Sequence, residues 1–160
     1  MGRKLLLLAA MLLALVVAVP LSEASMPPSD LPSLTVSASP HTAGAHRVRL
    51  TLTFRYVMQC GYPGAGPLAV TFPSAAKLPR RFAAGSVKLD GNATAATIKG
   101  RKVAVTIPAH GGVLCGTMGP GAVTLLFTRA ARLRNPAHAG SYRFTAKHAQ
   151  HAFAASLKIG

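Results

Sequence analysis

The chain has 160 residues, in which eighteen Lys and Arg stand against three Asp and Glu, so its formal charge is +15 with histidine neutral. Half of it is apolar, with two cysteines and no Trp, which excludes a disordered chain and a disulfide-dense miniprotein and suits one domain. The scarcity of acids also disfavours hydrolysis by paired carboxylates, because beyond the first segment only Asp30 and Asp90 remain, one in a Pro-rich stretch and one in a turn.

Gly2, Arg3 and Lys4 precede an apolar stretch from Leu5 to Val19, and Ser22 and Ala24 offer small residues to a signal peptidase. This predicts a signal peptide over 1–24, cleaved after Ala24. The apolar run, about 15 residues, falls short of the ~20 that span a bilayer, and no second apolar span follows, so no membrane span is expected in the mature chain. Residues 25–33, with Pro27, Pro28 and Pro32, read as an irregular lead-in, and 34–160 as the folded domain.

From here the hydrophobic period is two. Between His46 and Met58, Val48, Leu50, Leu52, Phe54, Tyr56 and Met58 fall on one side, and Arg47, Arg49 and Arg55 with two threonines on the other, the pattern of a half-buried strand. Leu68, Val70 and Phe72 repeat it up to Pro73, and Val103, Val105 and Ile107 up to Pro108. Val123, Leu125 and Phe127 follow, then Tyr142, Phe144 and Ala146, and last Phe153, Ala155, Leu157 and Ile159. Asp90-Gly91 and Lys99-Gly100 are hairpin signals, and the Gly/Pro stretches 61–67 and 111–121 read as loops. Only 75–84 and 128–135 have room for a helical turn, limited by Pro79 and Pro136.

Cys60 and Cys115 are an even pair in a chain with an export signal, and are expected to form a disulfide. Closing a loop of about 55 residues is worth roughly 4 kcal/mol in the chain-entropy account. Each cysteine borders a Gly/Pro loop, so the bond should pin two strand ends. About eight or nine short strands at this spacing predict an all-β fold, an immunoglobulin-like antiparallel β-sandwich, with a closed barrel as the alternative.

The phrases Leu68-Ala-Val-Thr-Phe-Pro73, Leu78-Pro79 and Ala84-Gly-Ser-Val-Lys-Leu-Asp-Gly91 resemble a secreted bacterial immunoglobulin-like repeat of the kind found in surface-layer-associated proteins. The resemblance continues through Val103 to Pro108, Gly121 to Phe127 and Leu133 to Tyr142, and so covers roughly residues 46–159. It implies a sandwich and no activity. In the last phrase Pro136 ends one element and Gly140 permits the turn into the next, and Tyr142 is expected to bury its ring and hydrogen-bond through its hydroxyl in the manner of a corner tyrosine.

No Gly-x-Ser-x-Gly elbow occurs, and oxidised cysteines cannot act as nucleophiles, so no enzyme and no cofactor are expected. Of His41, His46, His110, His138, His148 and His151, the pair His148 and His151 gives an alternative reading as copper or zinc ligands, with Met58 or Met118 available to copper. The preferred reading is scattered surface histidines and no metal.

Charge is the one large surface feature. Arg47, Arg49 and Arg55 share a strand face, and Arg80, Arg81, Arg101, Lys102, Arg129, Arg132 and Arg134 sit at turns or strand ends. A surface so basic attracts polyanions. The expected function is a non-catalytic structural or binding module, secreted or periplasmic, that associates with an anionic cell-wall polymer or polysaccharide. No specific nucleic-acid reading is expected, because the aromatics fall on inward faces rather than among the arginines.

Overall fold

Alternation at a period of two produces two antiparallel sheets whose inward rows meet. The computed structural model describes residues 32–59, 64–109 and 118–160, with the backbone alone at 57–59 and 118–120. Its strands are β1 (Ser33–Ser39), β2 (His46–Gln59), β3 (Gly66–Thr71), β4 (Val87–Leu89), β5 (Asn92–Ala93), β6 (Ala96–Lys99), β7 (Lys102–Ile107), β8 (Met118–Phe127), β9 (Leu133–Arg134), β10 (Gly140–His148) and β11 (His151–Ile159). One sheet runs β1-β2-β8-β4-β5, with β9 against the start of β2, and the other runs β11-β10-β3-β7-β6.

The alternating rows lie where the periodicity puts them. Val48, Leu50, Leu52, Phe54 and Tyr56 of β2 are buried with Val123, Leu125 and Phe127 of β8, and they face Leu68, Val70, Val103, Val105, Phe144, Ala146 and Phe153 of the other sheet. Edge-to-face rings stitch the layers, Phe54 to Phe153 at 5.4 Å and Phe72 to Phe127 at 5.6 Å, and Phe72 also meets Phe144 on its own side at 5.3 Å. Such pairs add about 0.5–1.5 kcal/mol each beyond the area they bury. Both hairpin signals form turns. Asp90 and Gly91 take φ of 47° and 83° between Leu89 and Asn92, and Gly100 takes 60° beside the Lys99–Lys102 pair.

Two expectations need correction. Ser33 is the first residue of β1 rather than the end of an irregular lead-in; the alternation of Leu34, Val36 and Ala38 is the signal. The expected loop 111–121 ends earlier, because β8 begins at Met118 and pairs with β2 as far as Gln59. Pro120 is tolerated there because β4 pairs only with Leu125 to Phe127, which leaves Pro120 on an edge. Of the two segments with room for a helical turn, 128–135 holds one, the 3-10 turn at 129–131, and 75–84 holds turns and one bridge, Lys77 to Arg134. The expected signal peptide, most of the lead-in, and both Cys60 and Cys115 lie outside the described residues. The described backbone does set Gln59, next to Cys60 in the chain, opposite Met118.

Candidate functional site

The registers define two ends of the sandwich. Gln59 opposite Met118, Gly66 opposite Ile107 and His148 opposite His151 mark one end. His46, Phe127, Thr71 with Lys102, and Gly140 with Ile159 mark the other. The contacts of Tyr56 with His148 and of Phe72 with Phe127 join the sheets in this same sense. The segments described at the first end, 56–59, 64–68, 105–109 and 118–122, contain no Lys, Arg, Asp or Glu, and the exposed Lys147 stands beside the β10–β11 turn there. The second end carries Arg47, Lys77, Arg80, Arg81, Arg101, Lys102, Arg129, Arg132 and Arg134. Asp90 is the only carboxylate side chain among the described residues, and its Oδ1 accepts a 2.7 Å bond from the Thr124 amide. Thr124 lies five residues before Arg129, roughly 15 Å away at strand rise.

Within the cationic end a groove is built on three supports. Its first wall, residues 40–47, is fastened by the buried Asn135, whose Nδ2 donates to the carbonyls of Pro40 at 3.0 Å and Thr42 at 2.9 Å, while its amide donates to Ala45. The floor is the 3-10 turn Arg129–Ala131. The second wall, residues 80–84, is held by the buried Ser86, whose hydroxyl donates to Ala83 at 2.6 Å and whose carbonyl accepts from both the amide and the hydroxyl of Thr128. Phe82 packs on Phe127 at 5.4 Å. The outcome is two adjoining concavities of ≈ 720 and ≈ 610 Å³ that share Ala83, Ala130 and Arg132. Arg47 and Arg129 line the first with His46, and Arg80 and Arg81 line the second. Arg47 and Arg132 hold φ of 54° and 56°, the left-handed region that non-glycine residues rarely occupy.

The structure therefore gathers five of the ten predicted cationic residues and separates the rest. Arg49 and Arg55 stay exposed on the outer face of β2, opposite Ser39 and Ser33, about 20 Å apart by strand rise. They do not form one patch with Arg47, which lies at the register shift between His46 and Val48. Arg101 and Lys102 belong to the β6–β7 hairpin, and the half-buried Arg134 pairs with Lys77. Charge-free runs and the buried Asn135 were legible signals that periodicity passed over; the groove itself was not, because it depends on two left-handed arginines.

His148 and His151 face each other across the two-residue β10–β11 hairpin turn, where Ala149 takes a φ of 49°. His148 is 1 % exposed, and neither ring nitrogen has a hydrogen-bond partner in good geometry among the described residues. Burial lowers its pKa below 6.5, the His151 charge lowers it further, and the Gly64 backbone partly opposes both. Both imidazoles stand edge-on to Tyr56, at 5.7 and 5.6 Å. The Tyr56 hydroxyl is also buried without a partner among the described residues, and burial, then Asp90, raises its pKa. Two histidines are short of the three or four ligands zinc takes, and among the described residues no group of three His, Cys, Asp or Glu converges.

Tyr142 behaves as a corner tyrosine: half-buried, with its hydroxyl donating to the His138 carbonyl at 2.8 Å. It also lines a void of ≈ 20 Å³ between the sheets, beside Phe72, Phe144 and Leu157. That volume is room for about one water, so this is a packing gap rather than a ligand site.

No protein-family model and no curated protein sequence matches the chain. Among solved structures it is similar to the crystal structure of BslA, described as a bacterial hydrophobin, at 22% identity and a TM-score of 0.53, over 81% of this chain and 98% of that one. At that identity the likeness concerns the fold.

Proposed function

We propose that the protein is an exported, non-catalytic immunoglobulin-like module whose cationic end associates with anionic polymers of the cell envelope or its surroundings. The observation that carries the reading is segregation: among the described residues no Asp or Glu side chain stands with the arginines and lysines of one end, and the lone described acidic side chain, Asp90, is engaged elsewhere. Unneutralised charge on one surface attracts polyanions at long range. The export signal over 1–24 and the cysteine pair supply the compartment.

Two features support the immunoglobulin-like assignment and, with it, the resemblance to surface-layer-associated repeats. The order β1-β2-β8-β4 against β11-β10-β3 follows the ABED and GFC layout of that sandwich, with β4-β5 preceding β6-β7 in the chain. Tyr142 sits near the start of β10, in the place of strand F, and bonds to backbone four residues upstream. The test of the function is retention on purified envelope material or a heparin-like resin. Elution between low and high salt supports it, since exposed charge contacts are screened; retention that ignores salt refutes it.

The description of the structural neighbour as a bacterial hydrophobin favours a second reading, in which the cationic end faces polymer and the opposite end, whose described segments 56–59, 64–68, 105–109 and 118–122 carry no charged side chain, faces an apolar phase. A fall in air–water surface tension on adding the protein supports this, and an unchanged tension rejects it. The metal alternative rests on the buried, unpartnered ring of His148 opposite His151. Calorimetric titration with copper or zinc decides it: unchanged affinity on replacing both histidines with Ala excludes that pair.

A further inference from the structure

We propose that the arginine groove between residues 40–47, the 3-10 turn and residues 80–84 is a binding track for a base-free phosphodiester polymer, of the polyol-phosphate kind. The proposal rests on the envelope reading above and gives it a site and a ligand class.

The charged lining is arginine throughout. Arg47 and Arg129 belong to one concavity, Arg80 and Arg81 to the next, and Arg132 stands at the junction, with no lysine in either. Guanidinium presents a planar fork that engages two oxygens of one anion, which suits phosphate better than a point charge does. Two joined concavities rather than one closed pocket suit a chain that repeats its anion.

The backbone gives a second, independent sign. Four non-glycine residues among those described take positive φ, and two of them, Arg47 and Arg132, line the same concavity. Left-handed backbone is the province of glycine, and unfavourable conformations persist where they orient a functional group. Here a long cation occupies both positions.

The remaining lining selects among polyanions. Pro40, Ala83, Ala84 and Ala130 are small and carry no polar side chain, and His46 alone is left beside the arginines to bond sugar hydroxyls, so a thin phosphate-linked chain fits better than a uronic-acid polymer. The one aromatic ring in the lining, Phe82, is half-buried and tilted 46° against Phe127, a single ring where single-stranded nucleic acids use successive ones.

The experiment compares the purified protein with Arg47→Gln/Arg132→Gln, which opens the groove, and with Arg101→Gln/Lys102→Gln, which removes the same charge from the same end outside it. Arg80→Gln/Arg81→Gln tests the second wall, and thermal unfolding confirms that each variant is folded. Binding of poly(glycerol phosphate) is measured against salt, with hyaluronate and poly(dT) as the carboxylate and nucleic-acid arms. Both groove variants should lose about tenfold or more in affinity, with the salt slope reduced by roughly one to two, while the control loses less than about threefold. Equal losses in groove and control variants overturn the site and leave the charge reading standing. Tighter wild-type binding of hyaluronate or poly(dT) overturns the ligand class. If the wild type binds none of the three, site and charge reading fall together.

Discussion

Replacing Arg132 with glycine should stabilise the protein while weakening its hold on polyanions. Arg132 is the C-cap of the 3-10 turn, at φ 56° and ψ 32°, with its amide donating to the Arg129 carbonyl at 3.2 Å. Glycine keeps that bond and removes the clash between Cβ and carbonyl oxygen, worth roughly 1–2 kcal/mol. The unfolded chain gains freedom in return, which takes back about 0.5–1 kcal/mol. The side chain is exposed, so little packing is lost, and removing one cation from beside Arg47 and Arg129 relieves like-charge repulsion. A net gain of about 0.5–1 kcal/mol, at ~2.1 cal/mol/K of unfolding entropy per residue over roughly 130 residues, raises the melting midpoint by about 2–4 °C. Calorimetry of Arg132→Gly beside Arg129→Ala separates the two causes, because Arg129→Ala relieves charge at a position without a positive φ. An unchanged or lower midpoint for Arg132→Gly would refute the claim that this arginine holds an unfavourable backbone.

Asn135→Ala leaves the Pro40 and Thr42 carbonyls without their side-chain donor, at a cost of about 1–3 kcal/mol, and should lower the urea midpoint with the slope unchanged. The lowered His148 pKa means the folded state binds fewer protons than the unfolded one, so its contribution is complete above pH 6.5 and is lost as pH falls from there through the folded pKa. Denaturation across that window should show the decline, and His148→Phe, which keeps a ring beside Tyr56, should flatten it. If Cys60 and Cys115 are bonded, the native protein titrates no free thiol, and reduction lowers its stability by roughly 4 kcal/mol; two reactive thiols would exclude the bond.

Much of the sandwich is legible because burial on one face writes itself into every second residue. The inward rows of β2, β3, β7, β8, β10 and β11 could be read directly, and Asp90-Gly91 and Lys99-Gly100 placed their turns through the glycine demand of left-handed backbone. The two-residue strands β5 and β9 were not legible, since they bury too little to leave a pattern. The site followed a different logic. Arg47, Arg49 and Arg55 alternate as one face, but a pleat argument assumes a regular pleat, and the positive φ and register shift at Arg47 break it. The reach from Arg47 to Arg129 and Arg132 is tertiary, set by Asn135 and Ser86, whose hydrogen bonds have no periodic signature.

The two ends should act independently, because distance and screening separate them. From Gly140 to His148 the β10 strand advances eight residues, roughly 27 Å at strand rise. The Debye length at physiological ionic strength is about 8 Å, so charge gathered by the groove is screened well before it reaches the histidine hairpin. Between the ends lies the buried apolar core of the two sheets, from Leu52 and Phe54 to Leu125 and Phe153. Saturating the cationic end with polymer should therefore raise stability by mass action at every pH, and leave unchanged the slope of stability against pH that His148 sets. Measuring unfolding across pH 5 to 7 (about the window in which histidine titrates) with and without polymer, in a His46→Gln background that takes the imidazole out of the groove lining, checks this. A slope that changes on binding, in a protein whose His148→Phe variant has none, would mean that the ends communicate and that the sandwich is not the rigid spacer its packing implies.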